Sequence, residues 1–147
     1  MWIVLGFIVL ALGLRQETHA VCMYKTVGNL RKGQGKTFEK TWQVHRYTPL
    51  KKVARKGPWM KVHDVDGDTH WILANLVTDK FKCVTVRKPE AHLFEGPSIK
   101  SKKVQSFPVI HYSSFKFLQT NKDATWVQVE DTSGVKFWIL HSKVWIN

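Results

Sequence analysis

A stretch of nineteen residues, Trp59–Val77, comes back at Trp126–Val144 after a shift of 67 positions, with eight identities along its length. The matches pair Trp59 with Trp126, Val62 with Val129, Asp64 with Asp131, Gly67 with Gly134, Trp71 with Trp138, Ile72 with Ile139, Leu73 with Leu140 and Val77 with Val144. Two tryptophans at one spacing, with an Asp and a Gly held between them twice, do not recur by accident. The chain is a tandem of one small unit. Its 147 residues therefore divide into two domains, 21–77 and 83–147, joined by the short linker Thr78–Lys82. Units of this size bury a modest share of their surface, so each gains from packing on the other or from a crosslink.

The segment ahead of the repeats has a different character. Trp2–Leu14 is an unbroken apolar run, followed by Arg15-Gln16-Glu17 and by Thr18-His19-Ala20. Thirteen apolar residues are too few to cross a bilayer, which takes about 20, but they suit the core of a secretory signal with small residues before a cut. Residues 1–20 are read as that signal, removed after Ala20 or retained as an anchor, with no transmembrane span left after cleavage. The expected location is periplasmic or secreted, in the cell envelope. There the formal charge of +12 points to an anionic partner. Nucleic acid would satisfy the charge, but the export signal argues against it. Cys22 and Cys83 stand at the start of the two units. In an oxidising compartment they either form a disulfide or remain two half-buried thiols.

Short β-like runs alternate with turn residues every eight to twelve positions, and no helical period is sustained. The fold class is all-β. Asp64-Val65-Asp66-Gly67-Asp68 has the look of a calcium loop, but Gly is fourth rather than sixth and Asn75 stands where the bidentate Glu belongs. A hairpin turn explains it better. His63 and His70 flank that turn, yet Glu130 and Phe137 replace them in the second copy, so neither a metal nor a cofactor is expected. No Cys–His or Ser–His–acid grouping recurs, and the chain is not expected to be an enzyme.

Strand parity carries more information. In Trp59–His63, Met60 and Val62 share one face, which leaves Trp59, Lys61 and His63 on the other. Trp126, Gln128 and Glu130 repeat that arrangement against Val127 and Val129. Each unit thus sets a Trp on the face its core does not use, either as a platform for ligand or under a cover supplied by a loop or by the other domain.

With Leu30-Arg31-Lys32-Gly33-Gln34-Gly35, Trp59–Val62, Asp66-Gly67 and Trp71-Ile72-Leu73, and again Leu93–Ser98, Trp126–Val129, Ser133-Gly134 and Trp138–Leu140, the chain resembles the bacterial SH3 family. The resemblance covers nearly all of residues 21–147 and implies two tandem SH3-like β-barrels. It also implies a non-catalytic targeting or interaction role, with peptidoglycan or an acidic cell-wall peptide as the expected ligand. The other implied role is a structural or assembly protein of the envelope that binds a protein partner. By matching position, the groove of related peptide-binding SH3 domains falls on Trp59, Trp71, Leu73 and Leu76, and on Trp126, Trp138, Leu140 and Lys143. The expected ligand-binding set is Trp59, Trp71, Leu73, Lys61, Arg31, Trp126 and Trp138. The acidic loop that selects arginine is absent, since Arg31, Lys32, Lys36 and Lys40 occupy that stretch, and an acidic ligand follows.

Overall fold

The computed structural model describes residues 18–147. The apolar run assigned to a signal lies outside the described residues. The first unit contains β1 (His19–Met23), β2 (Val27–Arg31), β3 (Lys40–His45), β4 (Pro49–Lys56), β5 (Trp59–His63), β6 (Thr69–Leu73) and the short β7 (Val77–Thr78). The second contains β8 (Cys83–Val86), β9 (Glu90–Ala91), β10 (Val109–Ile110), β11 (Ser114–Thr120), β12 (Trp126–Glu130), β13 (Lys136–Leu140) and β14 (Val144–Ile146). A single 3₁₀ turn, Ala74–Leu76 or His141–Lys143, precedes the last strand of each unit. The all-β class holds.

Antiparallel pairing gives a seven-stranded sheet in the order β3-β2-β6-β5-β4-β1-β7 and a five-stranded one in the order β13-β12-β11-β8-β14, with β9 and β10 forming a separate pair. Both larger sheets are open, because their end strands do not pair with each other. The repeat is kept in the pairing as well as in the sequence. Trp59 stands opposite Leu73 and Lys61 opposite Trp71, as Trp126 stands opposite Leu140 and Gln128 opposite Trp138. Gly67 at φ +86° and Gly134 at φ +84° complete the two matching turns, where a side chain would be strained.

Period-two alternation sends one side of each sheet inward. Leu30, Val62, Ile72 and Val77 lie in the first core, and their counterparts Leu93, Val129, Ile139 and Val144 lie in the second. The two cores are separate, and a set of polar, aromatic and covalent contacts joins the units. Cys22 on β1 and Cys83 on β8 form a disulfide with Cα atoms 5.8 Å apart. Asn147 donates its amide to the carbonyls of Val21 and Leu50 and accepts from the backbone N–H of Cys83, so one side chain serves both units. Tyr47 meets Phe81 of the linker edge-on, and between the units the Lys51 ammonium lies 5.3 Å from the centre of the Trp145 ring.

Tyr112 adds a hydrogen bond between the units, its hydroxyl donating to Asp66 Oδ2 at 2.7 Å. That bond, then burial, then the charges of Asp66, Asp64 and Asp68 raise the phenol above its ordinary value. A folded-state value above the unfolded one means that the contact stabilises below about pH 10 and is lost as pH rises through the folded value. Because the ring is partly exposed, the effect is small. Tyr112→Phe is expected to lower stability by less than about 1 kcal/mol at neutral pH. In thermal melts, the difference from wild type should vanish in strong alkali.

Candidate functional site

Alternation on β5 and β6 builds the face turned away from the first core. Lys61 is half-buried there beside Trp71, and Trp71 in turn bridges to Arg31 on β2. Trp59 belongs to the same face but is only 9% exposed. Its edge forms one wall of a groove of about 190 Å³, shared with Arg31, Lys36, Gln43, Leu73 and Leu76. Of the expected ligand residues, Arg31, Trp59 and Leu73 therefore meet in one groove, and Trp71 and Lys61 stand on the adjoining strands. The Arg31 guanidinium is held by the Phe38 carbonyl at 2.9 Å, which fixes one end of the fork and leaves the rest free to receive an anion.

In the second unit the same position is closed. Phe94 takes the place of Arg31, exchanging backbone hydrogen bonds with Trp138. Its ring lies edge-on to Trp126 at 5.3 Å between centroids. Trp126 is 6% exposed and its backbone N–H is capped by the Asn121 side chain. Phe94 thus gives Trp126 an aromatic neighbour where the first unit sets Arg31 beside Trp59 in the groove.

A second constellation was not foreseen. β2 and β3 pair Leu30 with Trp42 and Arg31 with Lys40, so Thr41 is an extra residue in a β-bulge. Bulges re-aim side chains, and this one brings Thr41 Oγ1 to 2.8 Å from His70 Nδ1. On the other side of the ring, His70 Nε2 lies 2.8 Å from Asp64 Oδ2. Asp64 Oδ1 accepts from the backbone N–H groups of Asp66 and Asp68 at 3.0 and 2.9 Å. A carboxylate offers only acceptors, so Nε2 carries a proton; when the imidazole is neutral, Nδ1 is then the acceptor and the Thr41 hydroxyl donates to it. Asp64 and His70 are buried at 6% and 7% exposure, while Thr41 is exposed. Hydroxyl, imidazole and carboxylate are therefore in line. The expectation that no Cys–His or Ser–His–acid grouping recurs is unaffected, since this line begins at a threonine and the second unit has Phe137 in place of the histidine.

Next to this line of residues, a largely apolar cleft of about 330 Å³ lies between the units, with Leu30, Trp42, Asp64, Arg46, Tyr112 and Ser114 among its walls. Trp42 and Tyr112 meet edge-on across it at 4.8 Å. Among the described residues, no group of three or more His, Cys, Asp or Glu could hold a metal ion. No helix among them is long and apolar enough to cross a membrane.

No family model matches the chain, and no curated protein matches it. Solved structures do. NlpC2 from Trichomonas vaginalis is 14% identical, covering 88% of this chain and 48% of its own, with a TM-score of 0.39. NlpC1 from the same organism is 15% identical, covering 96% and 50%, with a TM-score of 0.40. An NlpC/P60 family protein from Bacillus cereus is 16% identical, covering 87% and 56%, with a TM-score of 0.38. The chain spans about half the length of these proteins. They are named as NlpC/P60 proteins, where the sequence reading expected bacterial SH3 proteins, and that family assignment is corrected accordingly. The readings as a non-catalytic binding module, as a structural or assembly protein, and as a chain that is not an enzyme are withdrawn with it.

Proposed function

We propose that this chain acts outside the cytoplasm as the substrate-engaging part of an enzyme that works on carboxylate-bearing polymer or peptide of the cell wall. The observation that carries the reading is the groove in which Arg31 and Lys36 flank an apolar wall made by Trp59, Leu73 and Leu76. A held guanidinium and an exposed ammonium beside an aromatic side chain suit a ligand with a carboxylate next to a small apolar group, as in a short acidic peptide. The net charge of +12 would draw such a polymer to the surface. The Cys22–Cys83 disulfide supports an oxidising compartment, periplasmic or secreted. The first unit is the binding unit in this reading, because Phe94 fills the equivalent position in the second.

Calorimetric titration with soluble peptidoglycan stem-peptide fragments tests it. Arg31→Ala is expected to weaken binding by about tenfold, the loss of one charge-assisted hydrogen bond. Lys36→Ala, at an exposed position, is expected chiefly to flatten the dependence on salt. Equal affinity of wild type and Arg31→Ala for the fragments would overturn the reading.

A further inference from the structure

The second repeat supplies the comparison that gives Thr41, His70 and Asp64 their meaning. Asp131 accepts from the N–H groups of Ser133 and Val135 at 2.8 and 3.0 Å, the same two turn bonds that Asp64 makes. The residue equivalent to His70 is Phe137, buried in the second core. The turn is therefore built without an imidazole, and the fold position accepts a phenyl ring. A buried histidine at that position in the first unit, bonded at both nitrogens and ending on an exposed hydroxyl, exceeds what the turn requires.

We propose that Thr41, His70 and Asp64 form an acyl-transfer site for an ester or amide whose apolar acyl part sits in the cleft between the two units. The inference goes beyond the groove at Trp59 and does not rest on it. Asp64 and Trp42, the residue after Thr41, line the cleft; in this proposal the carbonyl end of the acyl chain reaches past Trp42 to the Thr41 hydroxyl. Thr41 Oγ1 attacks the carbonyl carbon while its proton passes to His70 Nδ1. Asp64 holds the Nε2–H and stabilises the imidazolium that results. As the tetrahedral carbon collapses, the bond to the leaving oxygen or nitrogen breaks and His70 returns the proton to the departing alcohol or amine. Water then attacks the Thr41 ester and gives a proton to His70; as the acyl carbon–Oγ1 bond breaks, His70 passes that proton to Thr41 Oγ1, and a carboxylic acid is released. No oxidant, reductant or further co-reactant is needed.

The test uses the full chain and two activated esters, para-nitrophenyl acetate and para-nitrophenyl butyrate, with rapid quenching and peptide mass spectrometry. Acyl groups are expected on Thr41, and Thr41→Ser is expected to keep the label. Thr41→Val and His70→Phe should each lower ester hydrolysis by at least about 100-fold, the usual span of an acid–base contribution. His70→Phe copies the residue already tolerated in the second unit, and circular dichroism with a matching thermal midpoint establishes its fold. Acylation confined to lysines and the amino terminus in the wild type would overturn the proposal. So would hydrolysis by a folded His70→Phe at the wild-type rate. Fragment titration reads the Trp59 groove and mass spectrometry reads Thr41, so the two readings fail separately.

Discussion

Reducing the disulfide between Cys22 and Cys83 is expected to lower the unfolding free energy by about 4 kcal/mol and the midpoint of thermal unfolding by roughly 10 °C. The two cysteines are 61 residues apart, and closing a loop of that length removes a large share of the unfolded chain's freedom. Both side chains are fully buried, so the paired sulfurs also contribute packing, and a double Cys→Ala variant should lose at least as much. Because Asn147 and Tyr112 also join the units, the oxidised protein should melt in one transition. Reduction should broaden it or split it in two. Identical melts with and without a reductant that demonstrably frees both thiols would contradict the expectation.

Trp59→Ala should destabilise the first unit by about 3–5 kcal/mol, the cost of truncating a buried tryptophan. At 9% exposure, most of the ring contributes to the fold and only its edge is offered to a ligand. Urea titration should show a lower midpoint with an unchanged slope. Trp71, half-buried on the adjoining strand, should lose clearly less when truncated. A Trp59→Ala midpoint within experimental error of wild type would show that the ring is not held as described. The consequence for ligand work is that Arg31 is the better probe of the groove, since removing a half-buried guanidinium leaves the core intact.

Much of the architecture could be read in the residues. The repeat fixed the matching hairpins, because Asp, Gly and the flanking tryptophans each have a physical reason to sit where they do. Parity placed Met60 and Val62 inward, and both are buried. Parity also put Trp59 on the opposite face, but it says nothing about what covers that face. Leu73 and Leu76 share the groove wall with Trp59, and in the second unit the Phe94 ring lies edge-on to Trp126, a non-local contact with no local signature. The cysteine pairing needed the packing of one unit on the other, which sequence spacing does not determine. Thr41 was invisible for a sharper reason: a bulge breaks the two-residue period, so a rule built on alternation misplaces the very side chain that the bulge redirects. The only hint was His70, a polar residue at an inward position where its counterpart is Phe137.

The two hairpins also make the molecule its own reference sample. The amides of Asp66 and Asp68 close on one aspartate backed by an imidazole, and those of Ser133 and Val135 close on another with a phenyl ring nearby. Solvent, temperature and salt are identical for both within a single tube. Hydrogen exchange followed at these four amides should therefore separate what the carboxylate contributes to the turn from what His70 and the Tyr112–Asp66 bond together add to it. The subtraction needs no substitution anywhere in the chain.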